Sequence, residues 1–191
     1  MDRAERLAET ALALVNIPSE SRSEQAAAAW VEREVPLPVS WRQGETLFYA
    51  TARRTDAPLV VLAGHLDTVP AQGNLPGRIV DGWVEGLGAS DMKGGIAVMV
   101  ELARWLAADA PALGADVGLL FFPREELPQE ASALPAFFAG CAAVHEAELV
   151  VVLEPTDNEV HAGCLGNLNA ELVFAGESAH SARPWAGVNA V

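Results

Sequence analysis

The chain has 191 residues, 51% of them hydrophobic and 20% charged, with a formal net charge of −14. This composition is globular rather than disordered, and the length suits one sizeable domain or one domain plus part of another. An acidic surface repels phosphate backbones, which argues against a nucleic-acid partner, and the apolar stretch 110–122, interrupted by Pro111 and Asp116, is too short to span a membrane.

In chain order, Leu7, Ala11, Leu14 and Val15 recur at helical spacing over residues 2–16, and Pro18 ends that helix. The same stretch lacks the basic start, long apolar centre and cleavage site of a signal peptide. After the turn Ser19-Glu20-Ser21, an alanine run with Trp30 predicts a helix over about 24–34. Strands are expected at 46–52 and 59–64, the second apolar throughout, as in a strand buried on both faces. Residues 67–77 have the composition of a functional loop, and 78–84 alternates about Asp81-Gly82, a hairpin signal.

Met92 to Ala108 predicts an amphipathic helix with Val98, Leu102, Trp105 and Leu106 on one side. Buried strands are expected at 117–122 and 148–153, separated by a short helix within 128–141 that Pro135 breaks. This alternation predicts an α/β fold built on a mainly parallel, doubly covered open sheet. Beyond Pro155, residues 159–164 and 169–176 read as half-exposed strands, 177–191 as loop, and Gly187 to Val191 as the start of a helix. A first helical turn with nothing to continue it is unfavourable, so the chain is expected to be a truncated piece of a longer protein. Cys141 and Cys164 lack CxxC spacing, so no disulfide framework is expected and a reduced cytoplasm is the simplest compartment.

Imidazole and carboxylate groups recur where these strands end. His65 and Asp67 are two apart, so in extended backbone they point to one side, as a metal-bound imidazole and the carboxylate that orients it would. Asp91, in Gly86-Leu87-Gly88-Ala89-Ser90-Asp91-Met92-Lys93-Gly94-Gly95, fits neither a dinucleotide fingerprint nor a P-loop. It can cap the following helix and still give an oxygen to each of two cations. Glu125 and Glu126 follow a buried strand, where neighbouring side chains diverge: one can bind metal while the other serves as general base. Glu154 ends a third strand. Ligands of open α/β sheets bind beyond the carboxyl ends of the strands, which favours a metal site and a hydrolase over surface acids. Lys93 is placed to neutralise nearby carboxylates. His180 reads as a partly buried loop histidine, and His145 and His161 as structural.

Four stretches in this order resemble the motifs of the co-catalytic zinc aminoacylases and carboxypeptidases, the family of succinyl-diaminopimelate desuccinylase and acetylornithine deacetylase. They are Gly64-His65-Leu66-Asp67-Thr68-Val69-Pro70, Gly88 to Gly95, Glu125-Glu126, and Leu153-Glu154-Pro155-Thr156. The resemblance implies two zinc ions, with cobalt as a possible substitute. One is held by His65, Asp91 and Glu154; the other by Asp91, Glu126 and a histidine beyond this chain. It also implies Glu125 as general base and acid, Asp67 as the group that orients His65, and a cis peptide between Asp91 and Met92. Residues 1–166 would be the catalytic domain and 167–191 the start of a lid and dimerisation domain. That lid would bring His180 toward the substrate carbonyl, often in the partner subunit of a homodimer. Thr68-Val69-Pro70 with Asn74-Leu75-Pro76, and Ala162 to Gly166 leading to Ala179-His180-Ser181-Ala182-Arg183, resemble the desuccinylase branch in its actinobacterial form. The expected partner is therefore a small N-acyl amino acid, cleaved in lysine biosynthesis. Acetylornithine deacetylase, a metallo-carboxypeptidase or dipeptidase, and a catalytically silent binding module remain the alternatives. Residues 1–191 by themselves are expected to hydrolyse little or nothing.

Overall fold

The computed structural model describes residues 2–54, 56–163, 168 and 170–191. It divides into two compact units, Met1–Asn158 and Glu159–Val191.

In the first unit, α1 (Arg3–Val15) opens on a reciprocal cap: the Glu5 N–H donates to Asp2, and the Asp2 N–H donates to the Glu5 carboxylate. Its apolar stripe buries Ala11, Leu14 and Val15. After α2 (Gln25–Glu34) come β1 (Val39–Gln43) and β2 (Thr46–Ala50), an antiparallel pair. β1 is absent from the sequence expectations because it is an exposed edge strand, formed by pairing with β2 rather than by its own burial. β3 (Leu59–His65) precedes the small hairpin β4 (Arg78–Val80) and β5 (Trp83–Glu85), which turns at Asp81-Gly82 as expected. Then follow α3 (Gly94–Asp109), β6 (Asp116–Phe122), α4 (Leu134–Gly140) and β7 (Ala147–Val152).

The five-stranded sheet has the order β1-β2-β6-β3-β7. β3 runs parallel to both β6 and β7, while β2 is antiparallel to β6, so a parallel centre carries an antiparallel margin. One face packs on α1, α2 and α3 through Leu14, Val31, Leu47, Tyr49, Met99, Val100 and Phe121. The other packs on α4 and the turn after it through Phe48, Val61, Leu120, Phe137 and Val144. The strands β2, β6 and β3 are thus covered on both sides.

Several expectations need correction. The long helix begins at Gly94, not Met92: Ala89–Lys93 is an irregular turn in which Asp91 and Met92 leave helical geometry. Pro135 does not break α4 but lies in its first turn, where a missing N–H removes no helix bond. β7 is not buried; Leu149, Val150, Val151 and Val152 are 40–53% exposed, because β7 is the last strand of the sheet and these side chains join neither core cluster among the described residues. No strand forms at 159–163 or at 170–176; Cys164 and Asn169, in the same expectations, lie outside the described residues. Gly187 to Val191 is not a helix start, since Val188 instead exchanges backbone hydrogen bonds with Glu177. Among the described residues no helix is long and apolar enough to cross a membrane.

Candidate metal centre

Strand register brings the acidic positions together. His65, the last residue of β3, lies opposite Phe122, the last of β6, and Ala63 lies opposite Val152 on β7. The Leu153 N–H still donates to the Ala63 carbonyl, which sets Glu154 level with His65. Glu125 and Glu126 follow from β6 on the other side. Asp91 arrives from the turn ahead of α3. Gly88 begins that turn with φ +72°, and a Cβ there would meet Thr68 Cγ2 at 2.7 Å. Gly95 admits the helix close to β7, since a Cβ would come 2.7 Å from the Leu153 carbonyl oxygen. The Asp91-Met92 peptide is cis, in accord with the resemblance.

His65 is buried with both ring nitrogens engaged. Nδ1 lies 3.0 Å from the Asp67 backbone carbonyl, and Nε2 lies 2.9 Å from Asp91 Oδ1 and 3.7 Å from Glu154 Oε1. With Nδ1 donating to a carbonyl, Nε2 is the nitrogen left facing the carboxylates, and it would give up its proton to bind a metal. The Asp67 carboxylate is a more distant neighbour of the ring, at 3.5 Å. Its shorter bonds go elsewhere: it accepts from Ser21 Oγ at 2.7 Å, from the Glu125 N–H at 3.0 Å and from the Glu126 N–H at 3.1 Å. Asp67 therefore ties the Glu125-Glu126 backbone to the loop after β3. Ser21, read from sequence only as part of a turn, belongs to this tie; a contact across 46 positions leaves no local signal.

Charge crowding marks the cluster. Burial raises the Glu154 carboxyl, and Asp91 and Glu125 add to that against the opposing effect of His65, pushing it to about 7. Burial likewise raises Glu126, with Asp91 again contributing. Burial by itself would lower the His65 imidazole, but the bonds to Asp67 and Asp91 and the Glu154 charge carry it up to about 9. Asp67 is instead held low: burial opposes ionisation, and the bonds from His65, Ser21 and the two backbone N–H groups outweigh it. Groups forced to keep protons near neutral pH are groups short of a cation.

Two triplets offer ligand atoms within 4.8 Å of one another: His65, Asp91 and Glu154; and His65, Glu125 and Glu126. Ligand atoms around one tetrahedral zinc lie about 3.4 Å apart, given bonds of ~2.0–2.2 Å, so either triplet can close on an ion with small side-chain adjustments. The imidazole and carboxylate donors suit zinc and other first-row cations. Lys93 does not neutralise the cluster; it is buried, and its Nζ donates to the Ile17 carbonyl at 2.8 Å, tying the end of α1. His180 lies in the second unit, exposed, with Nδ1 accepting from the Ala182 N–H at 3.2 Å.

Comparison with known proteins agrees with this geometry. A succinyl-diaminopimelate desuccinylase from Corynebacterium glutamicum is 37% identical over 182 residues, 93% of this chain and 49% of that protein. The chain spans about half the length of the curated relatives it matches. A tripeptidase from Staphylococcus aureus superposes with a TM-score of 0.66 at 20% identity, over all of this chain and 54% of that one. The Bacillus subtilis YXEP protein, described as a dinuclear metal binding peptidase from the M20 family, gives a TM-score of 0.58 at 20% identity over 78% of this chain and 42% of that one. These structures share the fold. The sequence profile of peptidase family M20/M25/M40 matches residues 61–185, and the chain belongs to that family.

Proposed function

We propose that the protein carrying this chain is a metal-dependent amide hydrolase acting on N-succinyl-LL-diaminopimelate, releasing succinate and LL-diaminopimelate in lysine biosynthesis. The observation that carries the reading is the triplet His65, Asp91 and Glu154, with Glu125 and Glu126 within reach of the same imidazole, at the carboxyl ends of three parallel strands. The substrate is drawn from the corynebacterial relative.

One ligand set is His65, Asp91 and Glu154. The other would be Asp91, Glu126 and, as the resemblance implies, a histidine outside these 191 residues, so that Asp91 would serve both sets. Two zinc ions held there, with cobalt as a substitute, would supply Lewis acidity to the amide carbonyl and would lower the pKa of a bound water toward ~7. The chain's own groups do the rest. The Asp67 carbonyl fixes the His65 tautomer, and the Asp67 carboxylate holds the Glu125-Glu126 backbone. As the new C–O bond forms, Glu125 takes a proton from the attacking water. As the C–N bond breaks, it hands that proton to the departing nitrogen and returns to its starting state. His180 donates to the carbonyl oxygen as negative charge develops there. Residues 167–191 begin a lid that pairs two subunits into a homodimer, and the enzyme works in the cytoplasm.

The test is zinc content and N-succinyl-LL-diaminopimelate hydrolysis by the full-length gene product, alongside Glu125→Gln. The variant should keep its zinc and lose about 10²–10⁴-fold in turnover. A protein that takes up no zinc, or a variant that turns over undiminished, refutes the assignment. Acetyl and peptidyl amides run in parallel separate the substrate from the remaining members of the family.

A further inference from the structure

Most arginines of this acidic chain are paired: Arg6, Arg33, Arg42, Arg53, Arg54, Arg78 and Arg104 each meet a carboxylate. Among the described residues, the side chains of Arg22 and Arg124 make no hydrogen bond or ion pair. These two line one cavity of about 450 Å³, together with Pro128, Glu130 and Ala131. Glu130 is likewise unpaired among the described residues.

Their placement is tied to the candidate centre. Arg22 follows Ser21 and Arg124 precedes Glu125, so each is one peptide from a group bonded to the Asp67 carboxylate. Both hold left-handed backbone, with φ +79° at Arg22 and +65° at Arg124, a conformation side chains with a Cβ rarely adopt. Such outliers gather at ligand sites, where surrounding contacts enforce them. Here the same Asp67 anchor constrains both.

Two guanidiniums at one cavity repel unless an anion lies between them, and their planar forks match a carboxylate. Glu130, which lines the same cavity, supplies the opposite charge, an acceptor for an ammonium group. Two cations and one carboxylate complement a zwitterion, the head of a free α-amino acid.

We propose that this cavity is a specificity subsite for a free α-amino-acid head at the end of the substrate remote from the amide being cleaved. Its carboxylate goes to Arg22 and Arg124, and its ammonium to Glu130. The inference rests on the amide-hydrolase reading and assigns Arg22, Arg124 and Glu130 to recognition of the substrate end remote from the amide.

The kinetic test uses the metal-loaded, full-length gene product and four amides: N-succinyl-LL-diaminopimelate; Nα-succinyl-L-lysine, which lacks the remote carboxylate; N-succinyl-L-2-aminopimelate, which lacks the remote amine; and N-acetyl-LL-diaminopimelate, which lacks the acyl carboxylate. Wild type should prefer the first over the second by about 10- to 100-fold in kcat/KM, mainly through KM. Arg22→Gln/Arg124→Gln should collapse that ratio toward unity, while Glu130→Gln collapses the ratio of the first to the third. An unchanged ratio in either variant overturns the proposal. So does an arginine effect that disappears with the acetyl substrate, because the pocket would then hold the acyl carboxylate.

A second readout needs no turnover. L-Norleucine titrated into the metal-free protein should shift the Arg22 and Arg124 side-chain NMR signals, hexanoate should do so at least tenfold more weakly, and the double arginine variant should show no response. Absence of norleucine binding overturns the subsite even in an active hydrolase. Norleucine binding without hydrolysis of any of the four amides supports the subsite and overturns the hydrolase reading.

Discussion

Asp67→Ala tests the physical core of the site without touching a candidate ligand. The wild-type carboxylate is fully buried and accepts from Ser21 Oγ, the Glu125 N–H and the Glu126 N–H at 2.7–3.1 Å. Removing it orphans three donors, two of them backbone. A buried donor left unsatisfied costs about 1–3 kcal/mol, and Glu125 lies at an exposed position where water can relieve part of the loss. The net cost should therefore fall near the lower bound of the sum, about 3 kcal/mol. In a chain of this length ~1 kcal/mol moves Tm by roughly 2–4 °C, so the metal-free variant should melt about 6–12 °C lower in a calorimetric scan. Zinc affinity should fall about 10- to 100-fold, the usual cost of losing a group that orients the ligands. Ser21→Ala, which removes one donor together with its own need for a partner, should cost about 1 kcal/mol. A variant at Asp67 that melts within ~2 °C of wild type and binds zinc equally well would refute the claim that this carboxylate holds the Glu125-Glu126 backbone in place.

Further outcomes follow from the same contacts. In the metal-free protein, stability should fall as pH rises from about 5 to 9, because Glu154 and His65 both bind protons more tightly folded than unfolded. The Glu154 penalty is absent below about 4.5 and complete above about 7. The His65 contribution is complete below about 6.5 and lost by about 9. Denaturant titrations across that range should lose the lower segment in Glu154→Gln, and an unchanged profile would count against the crowding argument. Zinc at about 100 times its Kd should add ~2.7 kcal/mol and raise Tm by roughly 5–10 °C, reversed by EDTA; no shift means no folded site. Gly95→Ala puts a Cβ 2.7 Å from the Leu153 carbonyl oxygen. Overpacking there should cost about 1–3 kcal/mol and weaken zinc binding by moving Asp91 away from Glu154, read by calorimetry. Wild-type affinity in that variant would show that the close approach is unimportant.

Local chemistry makes much of this chain readable from residue order. The apolar runs of β3 and β6, the Asp81-Gly82 turn and the stripe of α1 each announce an element through neighbours in sequence. The motif spacing around His65, Asp91, Glu125-Glu126 and Glu154 points to the strand ends. What neighbours in sequence cannot specify is what lies across space. The run in β7 reads as buried although its side chains are exposed, since an apolar sequence does not say which element will cover it. β1 is held by its partner rather than by its own pattern. Lys93 goes to Ile17, and Ser21 to Asp67. Residue order is enough to name candidate ligands and to put them at strand ends. That Ala63 faces Val152 and His65 faces Phe122, the register that brings distant acids within reach of one imidazole, is a property of the folded sheet alone. Register follows from packing the whole sheet between its helices, and no short stretch of sequence encodes it.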